Sequence, residues 1–338
     1  MGKLWNVAIV GATGIGGRQI IECLEEREFP VGAITLLASS RNAGETLEFK
    51  GEPVVVAELG DDSFAGIDLA LFAAGSDGSR QYCPVAALAG AVCIDTSGAW
   101  RMDPKVPLVI AHVNPEAIAE YTGSGIIAVP NSAVIQLVTA LKPLHDHAVI
   151  RRVVVSTYQS VSGTGSMAVK ELERQIRSLF NGKPAEAKVY PHQIAFNCIP
   201  QIDAFTDNGY TREEMKLINE TRKILGGDIR LTATAVRVPV FYGHSEAVTV
   251  ETEKKITAVQ SRELLQNAPG CRLVDDPSER DYPMPIDAAG DDQVMIGRIR
   301  EDLSVENGLN LWAVADNVRM AADNTVRIAE ILIEQYLK

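Results

Sequence analysis

Three glycines recur at three-residue intervals in Gly11-Ala-Thr13-Gly14-Ile15-Gly16-Gly17, directly after the apolar run Val7-Ala-Ile-Val10. A strand, a glycine turn and a helix start, in that order, bring backbone N–H groups and the positive end of a helix dipole to a pyrophosphate. Gly11, Thr13, Gly14, Ile15 and Gly16 are therefore candidate dinucleotide ligands. The second strand candidate runs into Ser40-Arg41-Asn42, where an Asp or Glu would hold a free ribose 2′-OH. Hydroxyls and a guanidinium suit a 2′-phosphate instead, so the expected cofactor is NADP.

Further polar clusters lie downstream. They are Trp100-Arg101-Met-Asp103, Pro130-Asn131-Ser132, Tyr158-Gln159 with Ser162-Gly163, Glu213 with Lys216, and Arg237 with His244. The five cysteines and five histidines show no metal-ligand spacing, so reduced thiols and no metal are expected. A net charge of -12 disfavours nucleic acid and anionic membranes as partners. No apolar run reaches the roughly 18 residues of a membrane span. The first residues lack a charged-then-apolar leader, so a cytoplasmic location is expected.

The elements that must position these residues follow from periodicity. Short apolar runs at 7–10, 34–37, 68–72, 91–95, 108–110 and 126–129 alternate with helical patterns at 18–26 and 84–89. That alternation predicts an α/β, doubly wound Rossmann-type domain over 1–131. Beyond it, β-branched runs at 151–158, 231–239, 246–252 and 309–314 are longer, with helical patterns at 168–179, 212–225 and 319–337. They predict an α+β substrate-binding and dimerisation domain over 132–315. A C-terminal helix, 316–338, would return to the first domain.

Taken in order, the motifs resemble the aspartate-semialdehyde dehydrogenase family nearly end to end. They are GATGIGG at 11–17, WRMDPKVPLV at 100–109, PNSAVIQ at 130–136, YQSVSGTG at 158–165, IAFNCIPQID at 194–203, NGYTREEMK at 208–216, RVPVFYGHSE at 237–246, GRIRED at 297–302 and LWAVADN at 311–317. The resemblance implies NADP-dependent reductive dephosphorylation of L-aspartyl 4-phosphate to L-aspartate 4-semialdehyde, with release of inorganic phosphate. This step leads towards lysine, methionine and threonine. It also implies a homodimer. By the same resemblance Ser132 occupies the nucleophile position and His244 is the acid/base. Gln159 orients the acyl intermediate. Arg237 would take the substrate α-carboxylate and Glu213 the α-amino group. Arg101, Asn131 and Lys216 would take the phosphate, and Ser162, Gly163 and Asn317 the cofactor.

One departure bears on the reaction itself. The family places cysteine after Pro-Asn, and this chain has Ser132. A serine hydroxyl is far less acidic than a thiol and needs a strong base. Little or no semialdehyde-forming turnover is therefore expected. Ser132 is either introduced or the mark of a diverged paralogue. Ala111-His112 in place of Pro-Glu, and Met320-Ala321 in place of Lys-Gly, favour divergence. The alternatives are an inactive homologue that binds cofactor or a partner chain, and a related acyl-phosphate reductase.

Overall fold

The computed structural model describes residues 3–337, and the chain divides into two compact units, Met1–Asn131 with Ala321–Lys338, and Ser132–Met320. The first unit runs β1 (Trp5–Val10), α1 (Ile15–Glu26), β2 (Val31–Ala38), β3 (Thr46–Phe49), β4 (Glu52–Val55), β5 (Ala57–Glu58), β6 (Leu69–Phe72), α2 (Gly75–Leu88), β7 (Val92–Asp95) and β8 (Ile126–Ala128). All six strands of its main sheet are parallel, in the order β5-β2-β1-β6-β7-β8. β3 and β4 form a separate hairpin. The chain leaves β1 for β2 on one side and later returns to pair β6 on the other. This reversal opens a crevice at the carboxyl ends of the strands.

Two expectations need correction here. Residues 108–110 are not a strand: Leu108 makes only an isolated bridge to Ala128. Side chains satisfy the backbone instead. Asn114 bonds the Ile110 N–H and the Leu108 carbonyl, and Asn324 bonds the Ala111 N–H and the Val109 carbonyl. The helix expected at 84–89 begins nine residues earlier, at Gly75, and carries Pro84 in its interior. Its first turn, Gly75-Ser-Asp-Gly78, has turn composition and hid the helical pattern.

The second unit contains α3 (Ser132–Ala148), β9 (Ile150–Gln159), α4 (Ser166–Phe180), α5 (Arg212–Leu225), β10 (Arg230–Arg237), β11 (His244–Thr252), α6 (Ala258–Gln266), β12 (Cys271–Leu273), α7 (Pro285–Ala288), β13 (Val294–Glu301) and β14 (Gly308–Ala315). α8 (Asn317–Ile331) follows and widens into a π-type turn over Leu332–Tyr336. The sheet is mixed, in the order β10-β9-β11-β14-β13-β12. β9 alternates buried Val153, Val155, Thr157 and Gln159 with more exposed residues, the period of a strand with one covered face. α3, α5 and α6 pack on the sheet.

On the opposite face Tyr158 and Trp312 meet with ring centroids 5.5 Å apart. A cavity of about 390 Å³ there is lined by Ala247, Met284, Arg298, Arg300 and Trp312 among others. Among the described residues no helix is long and apolar enough to cross a membrane. Cys23, Cys83, Cys93 and Cys271 are buried and Cys198 is exposed, and none of the five forms a disulfide.

Candidate active site

The glycine turn follows β1 into the crevice. Gly11 has φ +87°, and a Cβ there would lie 2.5 Å from the Ala73 carbonyl oxygen. A Cβ on Gly17 would lie 2.3 Å from the Gly11 carbonyl oxygen, so α1 can pack this close only through glycine. α1 has no side-chain cap at Gly14 and no acidic residue in its first turn, which leaves its N-terminal donors open to an anion. A cavity of about 520 Å³ is lined by Gly11, Thr13, Gly14, Ser39, Ser40, Glu58, Ala73 and Tyr82, with other residues. Cavity, donors and close backbone fit a dinucleotide. Ile15 and Gly16 form the first turn of α1. Ser40 lines the cavity, whereas Arg41 is exposed and Asn42 bonds Glu45 at 2.7 Å. Ser39 and Tyr82 carry no motif signal and emerge only from the fold.

In the second unit, neighbouring strand ends gather the other candidates. β9 ends at Gln159 and pairs in parallel with β10, which ends at Arg237. β11 begins at His244 and pairs antiparallel with β14, whose last residue, Ala315, faces it. All four ends meet at one edge of the sheet. The chain then leaves β14 through Asp316 into Asn317.

Hydrogen bonds tie this edge together. The Ser160 N–H donates to His244 Nδ1 at 3.2 Å, and the Ser160 hydroxyl lies 3.1 Å from the same nitrogen. Asn317 Oδ1 accepts from the hydroxyls of Ser160 (3.1 Å) and Ser162 (3.0 Å) and from the Gly243 N–H. Arg237 Nη1 donates to the Ser160 carbonyl at 2.6 Å, while its Nε is buried without a partner. Gln159 Nε2 donates to Glu213 Oε1 at 3.2 Å and to Thr157 Oγ1 at 3.3 Å. Lys216 Nζ bridges Glu213 at 3.0 Å and Asp203 at 3.1 Å. A Cβ on Gly163 would come within 3.1 Å of His244 Nε2 and 3.2 Å of Arg237 Nη1, so this glycine keeps both groups open. Ser160, Thr157 and Asp203 are members of the network that the motifs did not single out.

Burial, then the charge of Arg237, holds His244 well below the usual imidazole range, so the ring is neutral. Its Nδ1 already accepts a backbone N–H, which places the ring proton on Nε2. Burial alone would raise Glu213, but Lys216, Gln159 and Arg237 outweigh it and keep the carboxylate ionised. Burial would likewise lower Lys216, and Glu213 and Asp203 reverse that.

Ser132 is the first residue of α3. One turn later the Gln136 amide donates to the Ala313 carbonyl, two residues before the end of β14. At the far end of α3 the Ala148 carbonyl accepts the Glu253 N–H, just beyond β11. α3 therefore runs along the sheet with Ser132 at the His244 edge. Arg101 and Asn131 belong to the first unit. Arg101 is buried, with Nε on the Val129 carbonyl (2.9 Å) and Nη2 on the Thr96 carbonyl (2.7 Å).

A parallel doubly wound unit with a glycine-turn crevice, joined to a mixed-sheet unit with a buried cationic site, defines a two-domain dinucleotide-dependent oxidoreductase. Residues 6–121 match the semialdehyde dehydrogenase NAD binding domain, and residues 141–320 match the semialdehyde dehydrogenase dimerisation domain. An aspartate-semialdehyde dehydrogenase of Aquifex aeolicus is 52% identical over 337 residues, 98% of this chain and 99% of the relative. The crystal structure of aspartate semialdehyde dehydrogenase II from Vibrio cholerae, complexed with ASA, is 49% identical with a TM-score of 0.97. That match covers 99% of this chain and 100% of the other. An aspartate semialdehyde dehydrogenase from Candida albicans, solved with NADP, is 24% identical with a TM-score of 0.75, covering 99% of this chain and 100% of the other, a likeness of fold alone. The chain belongs to the aspartate-semialdehyde dehydrogenase family and is an oxidoreductase of that type.

Proposed function

We propose that this chain binds NADP and L-aspartyl 4-phosphate in a site built for reductive dephosphorylation to L-aspartate 4-semialdehyde, and that Ser132 limits the covalent step. The observation that carries this reading is Arg237. Nη1 is used by Ser160, but Nε is buried and unpartnered, so one edge of the guanidinium awaits a planar anion. A substrate α-carboxylate supplies two acceptors for that edge. Glu213, held ionised, takes the α-amino group, and Gln159 holds the acyl carbon in place. Lys216, Arg101 and Asn131 bind the phosphate. Gly11, Thr13, Gly14 and Ser40, with Ser162, Gly163 and Asn317, hold the cofactor, which supplies the hydride when bound. The uncapped α1 N-terminus and the two serines of the cavity favour its phosphates.

His244 works as a donor. Nε2–H stabilises negative charge on the reacting carbonyl oxygen, protonates the tetrahedral adduct, and the ring takes that proton back as the adduct collapses to the aldehyde. In that tautomer the ring cannot take the proton of Ser132, so the hydroxyl lacks the base that it needs. This favours a second reading, a homologue that binds ligands with little turnover. A cytoplasmic setting suits cysteines that form no disulfide. The proposed partner is a second copy seated on the sheet face that carries Ala247 and Trp312.

The test is phosphate-dependent reduction of NADP by L-aspartate 4-semialdehyde, measured for this chain and for Ser132→Cys. Turnover that rises about a hundredfold or more in the cysteine form supports a site complete except for its nucleophile. Inactivity of both forms with NADP binding intact moves the chain to the second reading.

A further inference from the structure

Glu246 lies in the centre of the sheet, with no accessible surface, and neither carboxyl oxygen has a hydrogen-bond partner. An unsatisfied buried carboxyl is costly and calls for an explanation. Glu246 follows His244 by two residues on β11, so both side chains leave the same face. Its register partner on β9 is Thr157, also fully buried. Side chains paired this way have Cβ atoms about 5 Å apart. The Thr157 hydroxyl accepts the Gln159 amide, and no bond from its own proton is found among the described residues. A donor without an acceptor thus faces an acceptor without a donor, a gap that one side-chain rotation or one water closes.

We propose that Glu246 is a positioning residue, the buried end of a hydrogen-bonded column Glu246–Thr157–Gln159–Glu213–Lys216 that fixes the amide of Gln159. With the Thr157 proton committed to Glu246, the Thr157 oxygen only accepts. Glu213 carries no proton and also only accepts. Both neighbours of Gln159 then demand its NH₂, and its carbonyl oxygen is turned to the ligand. Glu246 acts as a neutral acid: burial raises its pKa well above the usual carboxylate range, and no charged group contributes to that shift. The titratable group beside it on its own strand is His244, which burial keeps neutral, and the groups that the packed strands and helix bring to it are Thr157, Ala313 and Gln136, none of them titratable. This assignment rests on the proposed role of Gln159.

The test uses the full chain with Ser132→Cys as parent, to which Glu246→Gln, Glu246→Leu and Thr157→Val are added. Glu246→Leu and Thr157→Val are expected to lower kcat by about ten- to a hundredfold, with KM for phosphate little changed. Glu246→Gln, neutral and able to accept, should restore most of the loss. Equal losses in Glu246→Gln and Glu246→Leu would overturn the proposal, since a carboxylate would then be the working form. An unchanged kcat in Glu246→Leu with an unchanged melting temperature would also overturn it. An inactive parent counts against the reading of the site alone. The side-chain amide NMR signal of Gln159 in the serine chain then decides. It should move in Thr157→Val and Glu246→Leu and stay in Glu246→Gln, and no movement in any variant would sink the column.

Discussion

At the residue scale, burial sets the protonation of the groups around His244 as much as their neighbours do. Glu246 gives a sharp stability test. Burial holds its folded pKa well above the ordinary carboxyl value of about 4.5. Below pH 4.5 both folded and unfolded forms hold the proton and no penalty arises. As pH rises the unfolded chain ionises first, so stability falls until pH reaches the folded pKa. Glu246→Gln should therefore gain on the parent chain by up to about 1.4 kcal/mol per pH unit above 4.5, read by denaturant melts across pH. A pH-independent difference would show an ionised or paired carboxyl. Arg237, Glu213 and Lys216 were legible in the sequence as motif residues. Thr157 was not, because its place depends on strand register, and a one-residue slip would turn it to the other face. Ser160 went unmarked for a different reason: it works through its backbone N–H and carbonyl, which any residue type supplies.

At the element scale, the β1–α1 turn was the clearest feature of the sequence, and the fold separates its glycines by task. Gly11 and Gly17 are fixed by contact with backbone, whereas a Cβ on Gly14 would meet only the Gly11 carbonyl oxygen, at 3.4 Å. Gly17→Ala should lower stability by about 2 kcal/mol or more, because the Gly11 carbonyl cannot move aside without disturbing β1. Gly14→Ala should fold normally and weaken NADP binding, because the new methyl group enters a cavity-lining position. Calorimetry of both variants, with NADP titrations, checks the division; equal melting temperatures would refute it. The strands of the first sheet were readable because central parallel strands are continuous apolar runs. Residues 108–110 share that composition but find Asn114 and Asn324 as partners, and composition alone does not tell a strand from an extended segment capped by amides.

At the scale of the whole molecule, the second unit's sheet is covered by helices on one face and carries Tyr158, Ala247 and Trp312 on the other. If a second copy seats there, Ala247→Glu should give monomers in sedimentation, because an unpaired carboxylate would be desolvated at the contact. An unchanged mass would place the contact elsewhere. The unpartnered edge of Arg237 also has a consequence at the bench. Small carboxylates in a purification buffer, such as citrate, malonate or acetate, are ligands for that edge. They should raise the melting temperature and compete with substrate, whereas chloride at matched ionic strength should do neither. A preparation eluted in citrate would then report a stability and an apparent affinity that belong partly to its buffer.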